Sequence, residues 1–271
     1  MKQLSIAGCG WLGLALAQHL TAKSWQISGC SRNLETLTTL KQHGIAATYM
    51  DLDGEFRCPE PSTLFASEWL FINVPPGRHQ QDNAYADRVA LLAQAAKSHG
   101  VNKVIFVSST AVYQDGADYP NVNEQSALAS DVRAATMLEA EAVIKQHFEQ
   151  WMILRPAGLV GGERHPGRFL AGKVGLAGAG APINLVHRDD VIAAVEMLLE
   201  QPQWGEIFNL SAPKTCNRGE FYPQAAQALG LTAPSFSDEL QNGKKVDSSK
   251  ICRAGFEFCY PNVMTMPPLA N

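Results

Sequence analysis

Apolar residues in the first two-thirds of the chain fall into short runs that alternate with longer stretches of helical spacing. Leu4 to Ala7 is a short apolar run ending at glycines, and Leu12, Ala15, Leu16 and Leu20 then share one helical stripe. Trp25 to Cys30 reads as a second strand, and Leu34 to His43 as a short helix stopped by Gly44. Ala46 to Met50 and Trp69 to Val74 read as the next two strands. A helix from about Asn83 to His99 carries Val89, Leu92, Ala93 and Ala96 on one face, with Gly100 as its C-terminal cap. Lys103 to Ser108 and Trp151 to Leu154 are further strands. Between them Asp131 to His147 is a helix with Glu141 and Lys145 at i,i+4. Strands separated by helices of crossover length predict an α/β fold on a doubly wound parallel sheet.

After Arg155-Pro156 the texture changes. Residues 158–180 are loop-like and rich in glycine, and a helix follows over Val191 to Glu200. Ile207 to Leu210 returns to strand-like texture. Asn217-Arg218-Gly219-Glu220 has the form of a capping box opening a helix that ends near Gly230.

Composition narrows the class. The 271 residues are 46% hydrophobic and 18% charged, which fits one large α/β domain or a nucleotide domain with a small annex. A net charge of −4 gives no support to nucleic-acid binding. The six cysteines form no C-x-x-C pair, and their spacing suits neither a metal site nor a disulfide framework. No signal peptide or membrane-spanning stretch is expected, so the sequence reads as a cytoplasmic protein with no membrane partner.

The chemistry begins at Gly8-Cys9-Gly10-Trp11-Leu12-Gly13, a G-x-G-x-x-G turn between a short apolar strand and an amphipathic helix. In that setting Gly8 permits the tight turn, Gly10 admits a pyrophosphate against the backbone, and Gly13 lets helix and strand pack closely. The helix N-terminus favours the phosphates. The expectation is a Rossmann-type sheet holding a dinucleotide. Where an NAD-selecting acid would stand after the second strand, the chain has Ser31-Arg32-Asn33. Arg32 can pair with a 2′-phosphate and Ser31 can donate to it, so NADP is expected over NAD. Asp51 and Leu52 after the third strand, and Val74 and Pro75 after the fourth, complete the expected cofactor wall. The expected division is a dinucleotide-binding domain at residues 1–157, rejoined by 184–200. A small C-terminal substrate lobe takes 158–183 and 201–271.

Ser108-Ser109-Thr110-Ala111-Val112-Tyr113 resembles the S-S-x-x-V-Y segment of extended short-chain dehydrogenases/reductases, the epimerase/dehydratase group. Leu154-Arg155-Pro156 resembles that family's L-R-P segment and adds Pro156 to the cofactor set. His187-Arg188-Asp189-Asp190-Val191, Gly205 to Leu210 and Lys245 to Lys250 resemble its later signposts. The glycine opening, with Gly161 to Phe169, resembles the atypical YeeZ-like subgroup. The departures concern Ala7, where the family has its first glycine, and the Tyr-x-x-x-Lys pair that carries its proton chemistry. None of the six tyrosines precedes a lysine by four residues, and Arg133 and Met137 occupy the matching positions.

The resemblance makes Ser109 the family's catalytic hydroxyl. Tyr113 and His165 are the candidate proton donors, and Arg164 and Arg168 flank His165 as grips for an anionic substrate. His187 reads as structural, because its segment closes the sheet in that family, and Glu124 as a loop carboxylate rather than an acid. Two functions follow. One is an NADP-binding oxidoreductase or epimerase-like enzyme acting on a small molecule without the Tyr–Lys pair. The other is a non-catalytic NADP-binding redox sensor or scaffold. A β-hydroxyacid dehydrogenase is a third reading, disfavoured by the return to strand after residue 200. Monomer and homodimer both remain open.

Overall fold

The computed structural model describes residues 2–77 and 84–266. In chain order the elements begin with β1 (Gln3–Ala7), α1 (Trp11–Ala22), β2 (Gln26–Ser31), α2 (Leu34–Gln42), β3 (Ala46–Tyr49) and α3 (Pro61–Leu64). Next come β4 (Trp69–Ile72), α4 (Ala84–Ser98), β5 (Lys103–Val107), β6 (Asn121–Val122) and α5 (Val132–His147). Then follow β7 (Gln150–Pro156), β8 (Gly158–Val160), α6 (Gly167–Leu170), β9 (Leu185–His187) and α7 (Arg188–Glu200). The chain closes with β10 (Glu206–Leu210), α8 (Arg218–Gln227), β11 (Lys245–Val246) and α9 (Ser249–Arg253). The expected start of the fourth helix at Asn83 lies outside the described residues.

The chain forms two compact units. The first comprises residues 1–108, 131–154 and 195–207; the second comprises 109–130, 155–194 and 208–271. The boundary expected at residue 157 therefore shifts. Segments 109–130 and 184–194 go with the second unit, and 201–207 with the first.

A parallel seven-stranded sheet in the order β10-β7-β5-β4-β1-β2-β3 organises the fold. The order reverses between β1 and β4, which opens a crevice at the strands' carboxyl ends. The inner strands are buried on both faces: Leu4, Ile6, Leu70, Phe71, Ile105 and Phe106 are all fully buried. That explains their unbroken apolar runs. Helix α1 lays Leu12, Leu16, Ala17 and Leu20 into this core. Helix α4 ends as its sequence foretells: Gly100 takes φ +88°, and Val101 N–H reaches back to the Ala96 carbonyl at 3.1 Å.

The second unit is cored by Val160, Ile183, Leu185, Phe221, Ala225, Val263 and Met266. Here several expectations are corrected. Residues 158–180 are not wholly loop: β8 pairs in parallel with β9, and α6 follows. His187 thus ends a small two-stranded sheet instead of closing the large one. Strands of three residues are too short to show a period. Helix α7 starts at Arg188, three residues early, because Asp189 and Asp190 suit a first turn through the helix dipole. Asn217 stands at the N-cap of α8, but its side chain makes no capping bond.

The tightest point of the fold is the first turn. A Cβ on Gly13 would sit 2.3 Å from the Gly8 carbonyl oxygen, and one on Gly8 would sit 2.5 Å from the Asn73 carbonyl oxygen. Both neighbours are backbone, so neither can swing aside. Gly13→Ala is expected to cost about 1–3 kcal/mol in a urea-unfolding measurement, from overpacking alone. An unchanged midpoint would show that this contact relaxes freely.

Candidate cofactor site

The crevice at the sheet's reversal holds a cavity of about 300 Å³ in the first unit. Its floor is the glycine turn, with Gly8, Cys9 and Gly10 all lining it. Ser31 and Arg32 follow from the end of β2, Asp51 and Leu52 from beyond β3, and Val74 and Pro75 from beyond β4. The structure therefore brings together nine expected cofactor residues. Trp11, Leu12 and Gly13 belong to α1 and do not line the cavity; Leu12 is core. Pro156 belongs to the second unit.

Gly10 differs from its neighbours in what surrounds it. Its φ of −81° is open to any residue, and a Cβ built on it would meet no protein atom within 4 Å. Neither backbone strain nor packing demands glycine there. The space it leaves belongs to the cavity. Helix α1 adds the electrostatics. No side chain caps its N-terminus and no acid stands in its first turn. The first helical bond runs from Leu14 N–H to the Gly10 carbonyl at 2.8 Å, so the N–H groups of Leu12 and Gly13 have no partner within the helix. A helix end of this kind attracts an external anion. The bare glycine, the uncapped helix and the crevice all fit a dinucleotide pyrophosphate.

The rest of the wall carries its own bonds. Cys9 N–H donates to the Cys30 carbonyl at 2.8 Å, tying the turn to the end of β2. Burial pushes the Cys9 thiol up to about 12 and holds the Cys30 thiol well above its usual range, so both stay protonated and inert. Asp51 Oδ1 accepts the N–H groups of Leu52 (2.9 Å) and Asp53 (3.3 Å) and lies 3.7 Å from Arg32 Nη1. Tyr85 and Arg88, on the first turns of α4, also line the cavity and were missed in the sequence. The Tyr85 hydroxyl donates to the Val74 carbonyl at 2.8 Å. Arg88 donates to the carbonyls of Ala84 and Pro76. Helical spacing marks these residues only as one face of α4.

In the first unit, Ser108 at the end of β5 donates to the buried Glu141 of α5 at 2.6 Å. On the same helix Arg133 is exposed and Met137 is buried. These two residues are a surface cation and a core thioether.

The second unit holds the other candidates. Ser109 is half-buried, and its oxygen accepts the Ala111 N–H at 3.1 Å. That bond uses one lone pair and leaves the O–H able to donate. Tyr113 is not placed as a proton donor. It is fully buried, donates to Asn209 Oδ1 at 2.7 Å and accepts from Arg155 Nη1 at 2.8 Å. Burial raises its pKa against the pull of Arg155. Asn209 is held in turn, its N–H by Glu124 at 2.8 Å and its amide by the Asp247 carbonyl at 3.1 Å. Glu124, read in sequence as a loop carboxylate, is therefore a strut.

His165 is buried where an open loop was expected. Its Nδ1 accepts the Gly167 N–H at 3.0 Å, which puts the neutral ring's proton on Nε2. Arg164 and Arg168 beside it are exposed. His187 is packed 4.3 Å from the Tyr260 ring and pushed down in pKa by burial. Asp190 holds the Cys259 N–H at 2.6 Å although burial raises its carboxyl to about 6.

A doubly wound sheet with a glycine-floored crevice at its switch point is the frame of a dinucleotide-binding protein. The chain belongs to the NAD(P)H-binding family, whose model matches residues 8–202. Protein YeeZ of Escherichia coli strain K12 is 36% identical over 282 residues, spanning 98% of this chain and 99% of YeeZ. UDP-N-acetylglucosamine 4-epimerase from Bacillus cereus superposes with a TM-score of 0.76 at 17% identity, over 98% of this chain and 93% of that one. dTDP-glucose 4,6-dehydratase from Bacillus anthracis, solved with NAD, gives 0.75 at 14% identity, over 97% and 94%. The chain shares its fold with these epimerase and dehydratase structures. Among the described residues no acidic, His and Cys cluster suits a metal ion, and no helix is long and apolar enough to cross a membrane.

Tyr113→Phe tests the strut assignment. It removes the hydroxyl that joins Arg155 to Asn209 and is expected to cost about 1–3 kcal/mol of stability, read as a lower midpoint in urea. Full stability with loss of all activity would instead return Tyr113 to the chemistry.

Proposed function

We propose that the protein binds NADP in this cavity and is an oxidoreductase or epimerase-like enzyme of the extended short-chain type, working on a small molecule without a Tyr–Lys pair. The observation that carries the reading is Arg32, which lines the cavity at the end of β2, where an acid would select NAD. The family match supports NAD(P) as the cofactor class, and the guanidinium favours the phosphorylated form.

When bound, the nicotinamide ring supplies or accepts a hydride. The chain's own groups do the rest. The turn and the α1 N-terminus hold the pyrophosphate. Ser109 donates its O–H to a substrate carbonyl. His165, with its proton on Nε2, is the proposed proton source, and Arg164 and Arg168 are the proposed substrate grips. We read the protein as cytoplasmic, in keeping with its free cysteines.

A non-catalytic NADP sensor is the second reading, favoured by one observation: Tyr113 is committed to Asn209 and Arg155, so no tyrosine at that position replaces the lost pair. Titration with NADPH and NADH, followed by a carbonyl and nucleotide-sugar screen for loss of nicotinamide absorbance, separates the readings. NADPH is expected to bind at least about tenfold more tightly. Turnover is expected in the wild type and lost in Ser109→Ala and in His165→Ala. Equal affinities would overturn the NADP assignment, and binding without turnover across the screen would favour the sensor.

A further inference from the structure

We infer that Arg88 is the second guanidinium of the subsite that takes the adenosine 2′-phosphate, and that the preference for the phosphorylated dinucleotide depends on it as much as on Arg32. The inference rests on the NADP reading above and assigns its selectivity to a residue 56 positions away in sequence.

Arg32 favours the phosphate, but a carboxylate stands beside it. Its Nη1 stands 3.7 Å from Asp51 Oδ1, and Asp51 cannot turn away because the same oxygen accepts the N–H groups of Leu52 and Asp53. The two side chains form a pair of near-zero net charge. A phosphate monoester carrying almost two negative charges would meet the Asp51 carboxylate as well as the Arg32 cation. Attraction and repulsion would largely offset.

Arg88 changes the sum. It lines the same cavity as Arg32 and Asp51, and with it the wall carries, among the described residues, two guanidiniums to one lining carboxylate. Its own bonds go to neutral carbonyls: Nε to Ala84 at 3.1 Å within α4, and Nη2 to Pro76 in the segment after β4. Those bonds fix the plane of the fork without cancelling its charge, and neither uses Nη1. The Tyr85 ring lies 5.6 Å from the guanidinium carbon and helps to fix it. The electrostatics agree. Burial pushes the Arg88 pKa down and the Arg32 charge adds to that, while Tyr85, Asp53 and Asp51 pull the other way. Two like charges share one partly buried wall, and an incoming dianion relieves their repulsion. A 2′-hydroxyl relieves nothing, so NADH gains little from the second cation. A pre-positioned fork also suits two phosphate oxygens at once.

Calorimetric titration of wild type, Arg88→Met and Arg88→Gln with NADPH, NADH and adenosine 2′,5′-bisphosphate tests this. Both variants are expected to weaken NADPH and the bisphosphate by about tenfold or more and NADH by less than about twofold. Gln keeps an amide N–H at the position of Nε, the donor to the Ala84 carbonyl, so it decides the matter if Met fails to fold. Equal losses for NADPH and NADH would overturn the inference, because Arg88 would then act on the part both share or merely brace the wall. Unchanged NADPH affinity would overturn it too. A wild type that binds NADPH no better than NADH shows instead that the NADP reading has failed, before any variant is made.

Discussion

The structure turns on a backbone-to-backbone approach at the first βα turn. Gly13 stands against the Gly8 carbonyl, and Gly8 stands against the Asn73 carbonyl beyond β4, at distances that leave no room for a Cβ. The strand, the helix and the neighbouring strand are thus drawn together with no side chain between them. This closeness sets where the N-terminus of α1 points: into the crevice where the strand order reverses. It also explains why the helix begins uncapped, since a capping side chain or an acid would occupy the place of an anion. The cavity then gathers its wall from the carboxyl ends of β1 to β4, and the specificity residues follow from what each strand delivers there.

A different constraint governs the second unit. Tyr113, Arg155 and Asn209 come from three separated segments, each of which resembles a signpost of the epimerase/dehydratase family. In space they are one buried hydrogen-bonded brace. Buried polar groups of this kind must be paired or they destabilise the fold, so the segments travel together for reasons of stability. This is in keeping with a fold shared with an epimerase and a dehydratase at 14–17% identity. Helix α5 has its own packing face, with Ala134, Met137, Ala140 and Ile144 all buried.

How much was legible depended on how locally each feature is encoded. Strands β4 and β5 could be read because burial on both faces makes each a continuous apolar run, and α4 because Gly100 announces its end. The glycine turn could be read because three residues within six carry the whole device. Strands β8 and β9 were hidden by their length. The burial of His165 was hidden because a Gly-rich segment looks open in sequence whether or not it folds back. Arg88 was hidden for another reason: its helix face marks it as an ordinary surface residue, and only the fold carries that face to the cavity that Arg32 also lines. The unit boundaries were hidden likewise, since residues 109–130 follow a strand of the first unit in sequence and pack in the second.

The central claim is that the opening turn is shaped by a ligand as well as by folding, and Gly10 isolates the ligand's share. Its backbone conformation suits any residue, and a methyl group there would touch no protein atom within 4 Å. The most direct measurement is the thermal midpoint of Gly10→Ala beside its affinity for NADPH. The account predicts a midpoint equal to the wild type's and an affinity weakened by about tenfold or more. Unchanged affinity, or a loss of affinity that merely follows a collapse of the midpoint, would contradict it.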